Sequence, residues 1–382
     1  MTNISGCLSV DNSMDIRRVD VSVYENDPVH QLEELFKIFR PQLAGRPVLI
    51  EELTGGLINM MYKLVVEDDV TVFRIYNGDL TDMFDRKEEL QRLIFLHEHG
   101  LYQKIYGVFR NGICYRYQNG RSLTAEELRD PSMSKLIARK LALLHTTSLL
   151  KEECRSAKDD VIATVVKNLE SLPEIYENAS LNQMVTTCFP DRTQLRAEFD
   201  ELVQMILPLR TAEKCGHVVL CHNDLVASNI IFDECCNDVQ FIDFEFSGYG
   251  FPADEIGGLF AEFFGATENG VNKSKEADRS VFQMEFIKCY LEARKALSVK
   301  DADQNKNYVK SVSEQDVWNF YVISKRFALL RPWFAVTWIL NAVNRIRDPQ
   351  EALDDLLFAK NAMEIYRKTK DSVFELHLRN GM

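Results

Sequence analysis

Two neighbouring stretches of the sequence are the most informative: LCHNDLVASNIIF, Leu220–Phe232, and VQFIDFEFSGYG, Val239–Gly250. His222, Asp224 and Asn229 stand between two apolar runs. A further acid, Asp243, is predicted inside a hydrophobic strand. Because polar groups among apolar neighbours are costly unless something uses them, this pattern indicates a functional site.

The two stretches have the spacing of a phosphoryl-transfer site. Asp224 and Asn229 match the HxDxxxxN spacing of a kinase catalytic loop, in which the Asp accepts a hydroxyl proton and the Asn turns toward a metal. Asp243 is expected to deliver a carboxylate to magnesium beside this loop, and Glu245 is expected on the same strand face. His222 is expected to hold the loop by hydrogen bonding.

Composition excludes several classes of protein. A net charge of -13 without a Lys/Arg cluster disfavours nucleic acid as a partner. No apolar run approaches the length of about 18 residues that predicts a membrane span. The nine cysteines lack a CxxC pair or a metal spacing, which predicts reduced thiols and a cytoplasmic location.

Hydrophobic patterning divides the chain into three parts. Residues 1–28 are predicted to be a flexible extension. Residues 29–120 show a helix, three strands, a second helix and a hairpin turning at Asn111–Gly112, which is typical of a small α+β lobe. Residues 121–382 are mainly helical, interrupted by the polar segment ATENGVNKSKEADRS at 266–280, a predicted exposed loop.

The small lobe contains weaker candidates for a nucleotide site. Gly55 and Gly56 would let backbone N–H groups approach a phosphate, although such a pair is more often a simple hairpin turn. Arg74 on the next strand is a candidate phosphate-binding cation, with Glu89 as its ion-pair partner. Each of these charges, taken alone, is more often a surface residue. His145 is predicted to be a packing histidine.

Six segments together resemble the choline/ethanolamine kinase family, within the wider group of protein-kinase-like small-molecule kinases. They are CHNDLVASNIIF, FIDFEFSGYGFPADEIGGLFAEF, LTGGLINMMYKL, VFRIYNG, DRKEELQRLIFL and LIARKLALLH, between about residues 50 and 345. The resemblance implies an α+β, bilobal protein-kinase-like fold with a small β-rich N-terminal lobe and a large, mainly helical C-terminal lobe. It also implies that ATP binds in the cleft.

The resemblance assigns roles to individual residues. The implied catalytic residues are Asp224, Asn229 and His222, with Asp224 as the base. The implied magnesium ligands are Asn229 and Asp243, with Glu245 nearby. The implied ATP-binding residues are Gly55, Gly56, Asn59, Arg74, Glu89, Tyr117, Gln118 and Asn119. The implied amino-alcohol pocket contains Asp224, Phe246, Tyr249, Glu262 and Trp338.

The substrate is predicted to be ethanolamine. A quaternary ammonium is held by aromatic faces, whereas a primary ammonium can donate hydrogen bonds to carboxylates. Family members pair two tryptophans in the late helix, but here Ala335 replaces the first, Trp338 remains, and Trp333 would face elsewhere. The apolar Leu225 and Val226 also resemble ethanolamine kinases more than choline kinases.

Departures from the family pattern concern substrate identity. The family sequence DIGNHF is here EIGGLF, with Glu255, Gly258 and Leu259 at the altered positions, and Phe246 stands where choline kinases commonly have Tyr. The predicted product is phosphoethanolamine, for phosphatidylethanolamine synthesis. The alternatives are a choline or dual kinase, a kinase for another hydroxylated amine, and a catalytically silent nucleotide-binding scaffold. The resemblance also allows a homodimer.

Overall fold

A computed structural model describes residues 9–11, 16–24, 27–53, 59–76, 85–148, 161–176, 178–264, 276–300, 311–346 and 348–379. The chain divides into two compact units, Met1–Gly120 and Arg121–Met382. The described strands are β1 Ser9–Asp11, β2 Ile16–Val19, β3 Leu49–Leu53, β4 Asn59–Val66, β5 Asp69–Tyr76, β6 Ile105–Phe109, β7 Gly112–Arg116, β8 Arg121–Ser122, β9 Val219–Cys221, β10 Ile230–Asp233, β11 Asp238–Phe241 and β12 Gly248–Gly250. The described helices are α1 Pro28–Phe39, α2 Arg86–Glu98, α3 Pro131–Ser148, α4 Val161–Glu170, α5 Ala179–Cys188, α6 Arg192–Ile206, α7 Ala212–Cys215, α8 Pro252–Phe264, α9 Glu276–Lys300, α10 Glu314–Ala328, α11 Leu330–Ala342 and α12 Pro349–Phe374.

The first unit is built on a seven-stranded sheet in the order β1-β2-β6-β7-β5-β4-β3. The apolar residues of α1 recur at helical spacing, so they form one stripe that joins the core of the sheet. Within this core the ring of Phe73 lies 6.1 Å from the rings of both Phe39 and Phe109. The sheet therefore has a well-packed face beneath α1.

Residues 16–19 form a strand of this sheet and Val23 is held next to it, so the prediction of a flexible extension is wrong for this segment. β2 pairs in parallel with β6, and Ile16, Val19 and Val23 are buried. The side-chain amide of Asn111 bonds to both the N–H and the carbonyl of Val23, as a neighbouring strand would. Apolar burial and these hydrogen bonds fix the segment.

The hairpin of β6 and β7 turns one residue earlier than predicted. Phe109 pairs with Gly112, so the turn residues are Arg110 and Asn111. Gly112 is already in the strand, where a Cβ would collide with the carbonyl oxygen of Arg74. The glycine is therefore needed for close approach of two strands.

The second unit is mainly helical, as the sequence predicts. α3 packs against α9, α8 against α10, and α11 against both α4 and α12. Two small sheets, β11-β10-β8 and β12-β9, interrupt the helices. The predicted exposed loop is wrong for residues 276–280, which begin α9, and residues 266–275 of it lie outside the described part. Over the described ranges, no helix combines the length and the apolar character needed to cross a membrane.

Candidate active site

The hairpin of β10 and β11 brings Asn229 and Asp243 together. Ile230 pairs with Phe241, so Asn229 lies just before one strand and Asp243 lies two residues after the other. The N–H of Ile242 donates to the carbonyl of Asn229 at 3.0 Å. Both predicted magnesium ligands therefore lie at the open end of this hairpin.

Asp243 does not lie inside a strand, and that prediction is wrong. β11 ends at Phe241, and Asp243 has a φ of +63°, in the left-handed region. The alternation of strand side chains therefore does not apply, so it gives no reason for Asp243 and Glu245 to share a face. Glu245 itself is buried, with 6% of its side chain exposed.

His222 holds the two segments together, the role that the sequence predicts for it. Its Nε2 donates to the carbonyl of Ile242 at 2.7 Å, and its Nδ1 accepts the N–H of Asp224 at 3.3 Å. Burial lowers the pKa of His222, although the charges of Glu255 and Asp224 oppose this shift. The neutral imidazole has one donor and one acceptor nitrogen, which matches these two contacts.

Asn229 fixes the orientation of the Asp224 carboxylate. Its Nδ2 donates to Oδ2 of Asp224 at 2.8 Å and to the backbone carbonyl of Asp224 at 2.9 Å. An amide that donates through Nδ2 retains Oδ1 as an acceptor, and magnesium prefers such oxygen ligands. The donor set therefore fits a magnesium ion held by Asn229 and Asp243.

A chain of hydrogen bonds through the buried His145 and Glu255 leads to the loop that bears Asp224. The Tyr290 hydroxyl and Nδ1 of His145 are 2.7 Å apart, and Nε2 of His145 donates to Oε2 of Glu255 at 2.7 Å. Oε1 of Glu255 accepts the N–H of Asn223 at 2.8 Å. Burial lowers the pKa of His145, with Glu255 opposing the shift, so a neutral imidazole is expected in this chain. His145 is therefore a buried, hydrogen-bonded residue, as predicted, and Glu255 anchors the loop.

In the first unit, Glu89 binds two arginines. Arg74 on β5 forms the predicted ion pair with Glu89 on α2, and only 3% of Arg74 and 1% of Glu89 are exposed. Nη1 of Arg86 donates to the other oxygen of Glu89 at 2.9 Å, and Nη2 of Arg86 donates to Oδ1 of Asn59 at 3.3 Å. Sequence reasoning missed Arg86, although its three-residue spacing from Glu89 on a predicted helix was an available signal.

The other predicted nucleotide residues are only partly placed. Gly55 and Gly56 lie outside the described residues. The N–H of Tyr117 donates to the carbonyl of Val70 at 3.0 Å, and Oε1 of Gln118 accepts from Gln103 at 3.3 Å. Asn119 accepts a hydrogen bond from Gln118 through its carbonyl. Their contact with adenine stays a prediction.

Three aromatic rings meet in the second unit, and two of them, Phe246 and Trp338, are predicted to contact the substrate. The ring of Phe246 is edge-on to Phe334 at 5.8 Å and to Trp338 at 6.1 Å. Phe334 and Trp338 are four residues apart on α11, so they share one face. Sequence reasoning missed Phe334, although this spacing was available. Trp333 faces elsewhere, as predicted, because it is fully buried.

Tyr249 lies on β12 opposite Leu220 of β9 and is half-buried. Glu262 lies in α8, but its side chain is outside the described part of the structure. Their contact with substrate therefore stays a prediction.

Several known proteins are similar to this chain in sequence or in fold. Ethanolamine kinase 1 of Mus musculus is 30% identical over 334 residues, which cover 86% of this chain and 87% of that protein. The structure of Plasmodium vivax ethanolamine kinase matches with a TM-score of 0.69 at 19% identity, covering 90% of this chain and 89% of that chain. Choline kinase of Cryptosporidium parvum matches with a TM-score of 0.69 at 18% identity, covering 91% and 96%. These structures confirm the predicted kinase-like fold.

A family model described as choline/ethanolamine kinase matches residues 50–367. This range includes the catalytic loop, the hairpin with Asn229 and Asp243, the Arg74–Glu89 pair and the three aromatic rings. The chain belongs to the choline/ethanolamine kinase family.

Proposed function

We propose that this kinase transfers the γ-phosphoryl group of ATP to the hydroxyl of ethanolamine. The observation that carries the proposal is the carboxylate of Asp224, which Asn229 holds in a fixed orientation beside the hairpin end that also bears Asp243. Such an arrangement can orient a hydroxyl nucleophile and hold a metal-bound triphosphate. The family and the named relatives support ethanolamine as the acceptor.

In the proposed reaction, the ethanolamine oxygen attacks the γ-phosphorus while the bond to the bridging oxygen of ADP breaks. The hydroxyl proton passes to Oδ of Asp224. Asn229 and Asp243 would hold magnesium, with Glu245 nearby, and this ion supplies charge neutralisation for the phosphates when it is bound. The product is phosphoethanolamine, which phosphatidylethanolamine synthesis consumes.

Arg74 is the proposed phosphate-binding cation of the first unit. Burial lowers its pKa, but the Glu89 carboxylate outweighs this effect and keeps the pKa of Arg74 well above its usual value. The guanidinium is therefore charged at every physiological pH. Arg86, bound to the same carboxylate, is part of this proposed anion site.

A dual choline/ethanolamine kinase is the second candidate. The edge-on group of Phe246, Phe334 and Trp338 favours it, because aromatic faces bind quaternary ammonium ions. Phe334 supplies an aromatic ring next to position 335, where Ala335 replaces the first tryptophan of the family pair. The preference for ethanolamine therefore has to be measured.

The test is ADP release by the purified protein with ATP, magnesium and either ethanolamine or choline. We expect turnover with ethanolamine, and an Asp224→Ala variant slower by about 100-fold or more because it removes the proton acceptor. Asp238→Ala is a matched control, since Asp238 is on the same hairpin but pairs with Lys140.

Equal turnover of both amines would establish the dual kinase. Stabilisation of the fold by ATP without turnover of either amine would contradict the proposal and identify a nucleotide-binding scaffold. The homodimer and the cytoplasmic location stay predictions, and sedimentation of the full chain would test the former.

A further inference from the structure

Asn223, the residue before Asp224, has an unusual backbone conformation that its neighbours maintain. Its φ is +67°, which costs energy for a residue other than glycine, although Asn tolerates it better than most. Its N–H donates to Oε1 of Glu255 at 2.8 Å, and its Nδ2 donates to the carbonyl of Phe246 at 3.1 Å. Contacts on both the backbone and the side chain thus fix this residue.

The carbonyl of Asn223 is held by Arg331. Nη1 of Arg331, in the first turn of α11, donates to this oxygen at 2.6 Å. The N–H of the same peptide group belongs to Asp224 and donates to Nδ1 of His222. Arg331 and His222 therefore hold opposite ends of the peptide group that enters Asp224, and a charged donor makes the first of these bonds strong.

Gly258 provides the space for the Arg331 guanidinium. A Cβ at this position of α8 would lie 2.7 Å from Cζ of Arg331, much closer than carbon atoms can approach. The family sequence DIGNHF has Asn here, whereas this chain has Gly258. A side chain at position 258 would therefore collide with the Arg331 guanidinium in its present position.

We propose that Arg331 is a positioning residue for Asp224, and that Gly258 is the position that admits its guanidinium. This inference rests on the proposed function, in which the Asp224 carboxylate accepts the hydroxyl proton. A fixed peptide plane before Asp224 fixes the direction of its Cα–Cβ bond and so the place of its carboxylate. Small displacements of such a group reduce the rate strongly.

The test measures kcat, both KM values and the melting temperature for Arg331→Met and Gly258→Ala in the full chain. We expect Arg331→Met to lower kcat by about 10- to 100-fold, with the KM values changed much less. Gly258→Ala should lower kcat in the same way, because the added Cβ displaces the end of the Arg331 side chain. Its melting temperature should fall no further than that of Arg331→Met, because the higher helix propensity of alanine offsets part of the cost of the lost hydrogen bond.

Two controls separate positioning from general damage. Arg192 donates to the carbonyl of Leu172 at 2.6 Å in the same manner, so Arg192→Met removes a similar bond far from Asp224 in sequence and should keep the wild-type kcat. The double variant Arg331→Met/Gly258→Ala should be no slower than the slower single variant, since both act on one contact.

A wild-type kcat in Arg331→Met or in Gly258→Ala, with an active wild-type enzyme, would overturn this inference alone. The inference would also be overturned if the fold-loss of kcat in the double variant equalled the product of the two single fold-losses, since the two residues would then act independently. If the wild-type chain turns over neither ethanolamine nor choline, the proposed function fails and this inference fails with it.

Discussion

Glu89 in the first unit and Glu255 in the second are equally buried, each with 1% of the residue exposed, yet their partners differ in charge. Glu89 accepts hydrogen bonds from the guanidinium groups of Arg74 and Arg86. Glu255 accepts from two neutral donors, an imidazole N–H and the backbone N–H of Asn223.

The pKa of each carboxyl is lower than usual, for different reasons. Burial alone would raise the pKa of Glu89, but the charges of Arg74 and Arg86 outweigh it. Burial would also raise the pKa of Glu255, and the hydrogen bond from His145 contributes most to outweighing it. The first unit thus uses an acid to hold two cations in place, whereas the second uses an acid to hold a loop.

The largest expected effect is that of Glu89→Gln, which removes the carboxylate charge shared by the buried Arg74 and the partly buried Arg86. We expect a loss of about 3–5 kcal/mol in the free energy of unfolding and a higher KM for ATP. Because the pKa of Glu89 is lowered, the loss is fully present above its usual value of 4.5 and shrinks as the pH falls through the lowered pKa. Urea denaturation at several pH values measures it.

Glu88→Gln is the matched control for this experiment. Glu88 is the adjacent residue of α2, but its side chain is 52% exposed and pairs with Arg92. An exposed pair of this kind contributes about 0–1 kcal/mol. Equal losses from Glu88→Gln and Glu89→Gln would mean that the buried arginines do not need the Glu89 charge.

The Glu89 site was more predictable from sequence than the surroundings of Glu255. The order of strand, Arg74, helix and Glu89 is a local pattern, and the spacing of Asp224 and Asn229 is local too. Arg331 lies 108 residues from Asn223, and nothing in either segment specifies that they meet. Long-range pairings of this kind depend on how helices pack, which hydrophobic periodicity does not encode.

The backbone conformation near Asp243 could not be predicted from the sequence either. The apolar run around Asp243 predicts a continuous strand. Instead, the strand ends at Phe241: the N–H of Ile242 donates to Asn229, its carbonyl accepts from His222, and the next residue, Asp243, has a positive φ. The strand at residues 16–19 was missed because a strand of four residues has too short a pattern to be recognised without its partner, β6. Local signals therefore predicted the fold, the Arg74–Glu89 ion pair and the holding contact of His222, and missed the long-range contact of Arg331 with Asn223.

Asp254, another buried acid, differs from both Glu89 and Glu255 in the direction of its pKa shift. In the described part of the chain, neither of its carboxylate oxygens has a hydrogen-bond partner. Burial raises the pKa of Asp254 to about 7, although the positive charges of Arg210 and Arg331 oppose the shift. Its folded form therefore binds a proton more tightly than its unfolded form does.

Asp254→Asn should remove a pH dependence of the free energy of unfolding that is opposite in sign to the one that Glu89 contributes. Because the pKa is raised on folding, wild-type stability falls as the pH rises from about 4 to about 7, by up to roughly 1.4 kcal/mol per pH unit. We expect the variant to be more stable than the wild type by up to about 4 kcal/mol near pH 8, and not at pH 4. A constant difference between pH 4 and 8 in urea denaturation would contradict this assignment.

The smallest expected effect is that of Glu255→Gln, because neutral partners can exchange donor and acceptor roles. The Gln amide oxygen can still accept the N–H of Asn223, and its NH₂ can donate to Nε2 of His145. His145 would then donate through Nδ1 to the hydroxyl oxygen of Tyr290. We expect a stability loss below about 1 kcal/mol and a kcat close to that of the wild type.

Glu255→Ala is the matched variant that cannot make this exchange. It removes the carboxylate that accepts from the N–H of Asn223 and from Nε2 of His145, which costs about 1–3 kcal/mol for each hydrogen bond left unsatisfied. It should also lower kcat, since Asn223 loses one of the contacts that keep its positive φ. If Glu255→Gln instead proves as damaging as Glu255→Ala, the negative charge itself is required, and Glu255 resembles Glu89 more closely than its neutral partners indicate.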